Sequence, residues 1–172
     1  MTRNELKSKK LREANAEELY RRADWEQGSG NLLSGFRLLL AAAKLGSESA
    51  QLNLGYTYDV GIGVRRNRSA AMYWYKKAYR SGKGWGCAAS NIGTIYRDER
   101  RYSLAKLWFQ RATDYGDLDA CLELAKIYLQ QPAERGKAVD CLKKVLDGHP
   151  PIMVGEDTQD EARALLQTIR GS

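Results

Sequence analysis

The chain has 172 residues, of which 43% are apolar and 28% charged, with a formal net charge of +7. That length fits one domain able to bury a substantial core, and the composition is that of an ordinary globular chain. No stretch approaches the ~20 apolar residues of a membrane span, and the charged N-terminus has no apolar run of a secretory signal behind it, so the chain is expected to be cytoplasmic.

Residues 1–13 are expected to form a charged arm, helical or frayed. Residues 14–27 then carry Ala16, Leu19, Tyr20 and Ala23 on one helical face. Gly28-Ser29-Gly30-Asn31 breaks that helix, and Leu32 to Leu45 supply its partner. Clearer elements follow. A helix is predicted over 48–60, a loop over Gly61-Ile62-Gly63-Val64, and a helix capped by Asn67 or Ser69 running to Tyr79. Gly82 to Gly86 marks a turn containing Trp85, which could join an interface. Helices are predicted over 87–98, 102–114, 119–130 and about 134–147. His149-Pro150-Pro151 is a rigid break, and Thr158 is the expected N-cap of a last helix, with Glu161 as its capping-box partner. Ala162, Leu165, Leu166 and Ile169 give that helix one apolar stripe and leave its other face polar, as a terminal cap requires.

These elements repeat. Leu54-Gly55-Tyr56-Thr57-Tyr58 returns as Ile92-Gly93-Thr94-Ile95-Tyr96 and as Leu124-Ala125-Lys126-Ile127-Tyr128. The glycines ending successive units, Gly46, Gly82, Gly116 and Gly148, lie 36, 34 and 32 residues apart. A period in that range marks stacked helical hairpins. At about 100° per residue, Ala50, Leu54, Thr57 and Tyr58 share one arc of their helix, and Ile95 and Ile127 take the place of Thr57 in later copies, so that arc faces the core. Gly55, Gly93 and Ala125 are small enough for the paired helix to approach closely. Trp74, Tyr75, Trp108, Phe109 and Leu142 are expected to fill the space between repeats.

One copy carries a family resemblance. Leu54-Gly55-x-x-Tyr58-x-x-Gly61-x-Gly63-Val64, followed by Ala70, Ala71 and Trp74-Tyr75-Lys76-Lys77-Ala78, resembles the Sel-one-like repeat, a relative of the tetratricopeptide repeat. The second copy keeps Ala88, Ile92-Gly93, Tyr96, Ala105, Trp108-Phe109 and Ala112, but Arg97-Asp98-Glu99-Arg100-Arg101 replaces the glycine loop. The third keeps Ala120, Leu124-Ala125, Tyr128, Ala138, Leu142 and Val145. The resemblance spans about residues 14–148 and is strong over 48–116. It implies a right-handed α/α solenoid of three to four helix-turn-helix repeats with a C-terminal capping helix, and a non-catalytic scaffold or adaptor role. The expected organisation is an arm over 1–13, repeats over 14–148, and a linker with its capping helix over 149–172.

The arc opposite the core is the candidate partner groove, by resemblance to tetratricopeptide-like solenoids. It holds Leu52, Tyr56, Asp59 and Val60 in the first full copy, Ser90, Thr94 and Arg97 in the second, and Leu122, Lys126 and Leu129 in the third. Apolar residues clustered there suggest contact, unless terminal helices or neighbouring repeats cover them. Charge marks a second candidate surface. Residues 65–111 hold twelve Lys/Arg against two Asp/Glu, net +10, between flanks of +1 and −4. Arg65, Arg66 and Arg68 fall in one inter-helix loop and Arg97, Arg100 and Arg101 in the next, so stacking would align them as a basic ridge for a protein partner with an acidic surface. Nucleic acid is the weaker alternative, because no recognition motif accompanies the charge.

Catalytic signatures are missing. His149 is the single histidine, and Gly82-Lys83-Gly84-Trp85-Gly86 does not match a phosphate loop. Cys87, Cys121 and Cys141 show no C-x-x-C spacing and read as small core residues rather than as a metal site. The sequence therefore points to a non-enzymatic protein-binding module without metal or cofactor. Its job would be that of an adaptor or of a dedicated inhibitor such as an immunity protein against a bacterial toxin.

Overall fold

The computed structural model describes residues 2–82, 85–148 and 155–170, and among these it is all-α. It forms two compact units, Met1–Gly84 and Trp85–Ser172. The predicted break at His149-Pro150-Pro151 and the side chain of Trp85 lie outside the described residues.

The first unit contains α1 (Arg3–Gly28), α2 (Leu32–Leu45), α3 (Glu48–Val60) and α4 (Arg68–Ser81). Each packs on its chain neighbour as an antiparallel hairpin element, α1 on α2, α2 on α3 and α3 on α4. Its core joins Ala23, Leu39, Ala43, Ala50, Leu54 and Trp74, with Leu19, Phe36 and Tyr58 packed against them. The second unit contains α5 (Trp85–Asp98), α6 (Tyr102–Asp114), α7 (Leu118–Tyr128), a 3-10 turn (Pro132–Glu134), α8 (Arg135–Leu146) and α9 (Glu156–Arg170). Here α5 pairs with α6, α7 with α8, and α9 packs on both α8 and α7.

Local chemistry explains the boundaries. Ser47, Asn67 and Asp117 each accept a hydrogen bond from the backbone N–H three residues on, at 3.2, 3.0 and 2.8 Å, and so cap α3, α4 and α7. The structure resolves one open alternative and departs from expectation at two other ends. No break separates residues 1–13 from the rest of α1, because Thr2 and Glu5 form a reciprocal capping box that starts the helix at Arg3. Gly86 belongs to α5 rather than to a turn. Thr158 is not a cap, since α9 begins at Glu156 with two acids in its first turn, where carboxylates suit the helix dipole.

The close approaches inferred from small residues are present. A Cβ at Gly55 would lie 2.5 Å from the Tyr75 ring, and one at Gly93 would lie 2.7 Å from the Phe109 ring. Both rings are fully buried. The glycine loop after α3 has a further reason for its sequence. Gly63 has φ +68, and a Cβ there would stand 2.8 Å from the Leu32 carbonyl oxygen at the start of α2. Gly63→Ala should therefore lose about 2–4 kcal/mol through left-handed backbone strain and displacement of α2. Urea unfolding measures it, and a change below about 0.5 kcal/mol would contradict this account.

Candidate functional site

The two candidate surfaces take different forms in the two units. In the first, Leu52, Tyr56 and Val60 are spaced four residues apart and form one stripe along α3. Leu52 is half-buried, whereas Tyr56 and Val60 are 51% and 54% exposed. Asp59 beside them is held by the following loop. Arg66 donates through Nε to the Asp59 carbonyl at 2.6 Å, and its Nη2 lies 3.7 Å from the Asp59 carboxylate. Arg68 approaches the same carboxylate at 3.6 Å. Arg66 of the loop and Arg68 at the start of α4 thus fold back on the C-terminal turn of α3, where cations complement the helix dipole. Arg65 is exposed.

In the second unit the expected groove positions are largely engaged. Ser90 hydrogen-bonds Asp117, the cap of α7, and burial raises the Asp117 carboxyl above its ordinary range despite that bond. Thr94 is half-buried on α5. Arg97 pairs with Asp98 at 3.0 Å and with Glu123 on α7. Glu123 also meets Lys126 at 2.9 Å, and Lys126 reaches Glu161 of α9 at 2.8 Å. Burial pushes the Glu123 carboxyl upward, but the bonds from Lys126 and Arg97 outweigh it and hold the group below the usual glutamate range. Charges therefore alternate along α5, α7 and α9 as one ladder.

The helix α9 covers the α7 face. Thr158 donates to Asp119 at 2.7 Å, Glu161 meets Lys126, and Leu129 shares an apolar cleft with Leu165 and Ile169. Arg135 donates to the Ile169 carbonyl. Leu122 is only 4% exposed, so it is a core residue and not an open groove position. The amphipathic stripe of α9 was legible in the sequence, but its seat was not, because a stripe does not name the face it will cover.

The basic loop of the second unit is similarly divided. Arg101 lies 4.9 Å over the Tyr96 ring and 3.4 Å from Glu99. Arg100 adopts φ +57 and is exposed. Of the six arginines expected on a ridge, Arg65 and Arg100 extend outward, while Arg66, Arg68, Arg97 and Arg101 serve local packing. Sequence reasoning missed exposed Trp25, Leu33 and Tyr73 in the first unit. Trp25 lies off the Ala16-Leu19-Tyr20-Ala23 face of α1, and that offset was the available signal. Among the described residues no group of three His, Cys, Asp or Glu is arranged to hold a metal, and no helix is long and apolar enough to cross a membrane.

Comparison with known proteins adds family and fold. The Sel1 repeat family matches residues 48–83 and 92–117. A stretch of 96 residues, 55% of this chain, is 30% identical to the ERAD-associated E3 ubiquitin-protein ligase component HRD3B of Arabidopsis thaliana, covering 15% of that protein. The chain likewise spans about 15% of the length of a putative sel1-like repeat-containing protein of Acanthamoeba polyphaga mimivirus, at 30% identity over 47% of this chain. A Sel1 repeat protein from Oxalobacter formigenes superposes with TM-score 0.67 at 24% identity, over 77% of this chain and 58% of that one. A protective antigen of uropathogenic Escherichia coli with an SLR fold gives TM-score 0.74 at 18% identity, over 90% of this chain and 34% of that one. The fold is that of the α/α repeat solenoids.

Proposed function

We propose that this chain, whose residues 48–83 and 92–117 match the Sel1 repeat family, is a non-catalytic adaptor that binds an acidic protein segment along α3 of its first unit. Sel1 repeat proteins are generally protein-interaction modules. The observation that carries the reading is the Leu52-Tyr56-Val60 stripe, whose Tyr56 and Val60 stand half in solvent while the corresponding α7 face is covered by α9. Aromatic side chains in such a stripe are the usual anchors of an interface. Exposed Arg65 follows five residues after Val60, within the segment of net charge +10, which favours an acidic partner and speeds its approach. One relative is named as a component of an E3 ubiquitin-protein ligase, which supports the adaptor role, while the charge bias would equally suit a dedicated inhibitor.

The test uses nuclease-treated lysate and the purified chain, with cross-linking to map which residues touch the captured protein. Tyr56→Ala with Val60→Ala should weaken capture roughly 30-fold, the effect of losing about 2 kcal/mol at an anchor, with helicity unchanged. Arg65→Glu should weaken it less and reduce its salt sensitivity. Undiminished capture by the α3 double variant would reject the stripe, and capture abolished by nuclease would favour the nucleic-acid reading instead.

A further inference from the structure

We propose that Cys121 and Cys141 are an oxidisable thiol pair that forms a reversible disulfide between α7 and α8. Both belong to the core of the second unit, Cys121 being fully buried and Cys141 8% exposed, while Cys87 is exposed and lies apart on α5. The expectation of three equivalent core cysteines thus holds for two. Sγ of Cys121 donates to the backbone carbonyl oxygen of Cys141 at 3.4 Å, which sets that sulfur directly beside Cys141 on the neighbouring helix. The two cysteines are thus neighbours across the packed pair of α7 and α8, the proximity from which a disulfide can form.

The repeat provides a second observation. Aligning the three copies through Leu54, Ile92 and Leu124, and through Tyr75, Phe109 and Leu142, places Cys121 level with Gln51 and Ala89, and Cys141 level with Trp74 and Trp108. The other copies carry an amide or a methyl group at the first of these positions and an indole at the second. Only the last copy sets two thiols there. Its electrostatics also separate the pair. The hydrogen bond from Cys141 makes the Cys121 thiol more acidic than an ordinary cysteine, with Lys144 assisting, while the same bond and burial push Cys141 the other way. Such asymmetry distinguishes an attacking thiolate from a resolving thiol.

With a peroxide as oxidant, the Cys121 thiolate attacks one peroxide oxygen. The O–O bond breaks, and the departing hydroxide takes a proton to leave as water. The Cys141 sulfur then attacks the resulting sulfenic sulfur, the S–S bond forms, the S–O bond breaks, and the Cys141 proton leaves with the second water. Two thiols lose two electrons and one peroxide becomes two waters. Cys141, 8% exposed, is the more accessible of the two to a small oxidant.

The experiment treats the Cys87→Ser chain with hydrogen peroxide, unfolds it, and alkylates all remaining thiols before mass measurement. The expected product has lost two hydrogen atoms, carries no alkyl group, yields a peptide linking Cys121 to Cys141, and returns two thiols after dithiothreitol. Closing this 20-residue separation should raise Tm by about 5–10 °C. Cys141→Ser in the same background should gain oxygen on Cys121 and form no link. Two alkylated thiols after peroxide, or oxygen gain without a link in the Cys87→Ser chain, would overturn the proposal.

Discussion

Phe109→Ala is expected to destabilise the second unit by about 3–5 kcal/mol, because it empties a fully buried aromatic site against a helix that cannot collapse inward without moving its whole hairpin. The sharper form of this prediction is a cycle with Gly93. Gly93→Ala alone should destabilise by about 1–2 kcal/mol, since the 2.7 Å approach of its new methyl group to the Phe109 ring outweighs the gain in helix propensity. Phe109→Leu alone should cost about 1–2 kcal/mol through lost volume. Made together, the two changes should cost at least about 1 kcal/mol less than their sum. The third repeat already uses this combination, with Ala125 and Leu142 at the corresponding places, both fully buried. Urea unfolding followed by helix circular dichroism measures the four proteins. Additivity within about 0.5 kcal/mol would mean that the glycine and the ring do not form one packing unit.

The second large effect concerns α9. Leu166 is 8% exposed and lies with Ala162 on the buried stripe of that helix. Leu166→Asp should undock α9, at a cost of about 3 kcal/mol for placing a carboxylate in an apolar seat. Hydrogen exchange should then speed up on the order of 10²-fold across α9, with lesser exposure of α7 and no change in α3. Arg163→Ala is the control, because among the described residues Arg163 pairs with exposed groups on its own helix, Asp160 and Gln159, and such pairs contribute little. Unchanged protection of α9 in Leu166→Asp would show that the polar contacts at Asp119 and Lys126 hold the helix without its stripe.

Much of the fold was legible because the repeat writes it several times over. The α3 and α6 boundaries fell where the sequence placed them, at Glu48–Val60 and Tyr102–Asp114. Gly55 and Gly93 announced a close approach of the paired helix, though not that the rings of Tyr75 and Phe109 would be what presses on them. What remained hidden depended on distant residues. Arg97 looked like a ridge cation because its loop is rich in arginine, yet its partner Glu123 is 26 positions away. Thr158 looked like a cap by local pattern, yet its hydroxyl serves Asp119, 39 positions earlier. Leu122 looked exposed on the helical wheel, since a wheel cannot know that a later helix returns to cover that face.

Within each unit, the helices that pack together are almost all consecutive along the chain. That arrangement has a kinetic consequence. Pairing neighbours requires only short loops to close, so little entropy is lost before contacts form, and folding is expected to be fast for a chain of this size. The seat of α9 on α7 is the exception, because α8 must be placed between them first. Docking of α9 should therefore be the late step of the second unit, and mutations on its stripe should mainly hasten unfolding rather than slow folding.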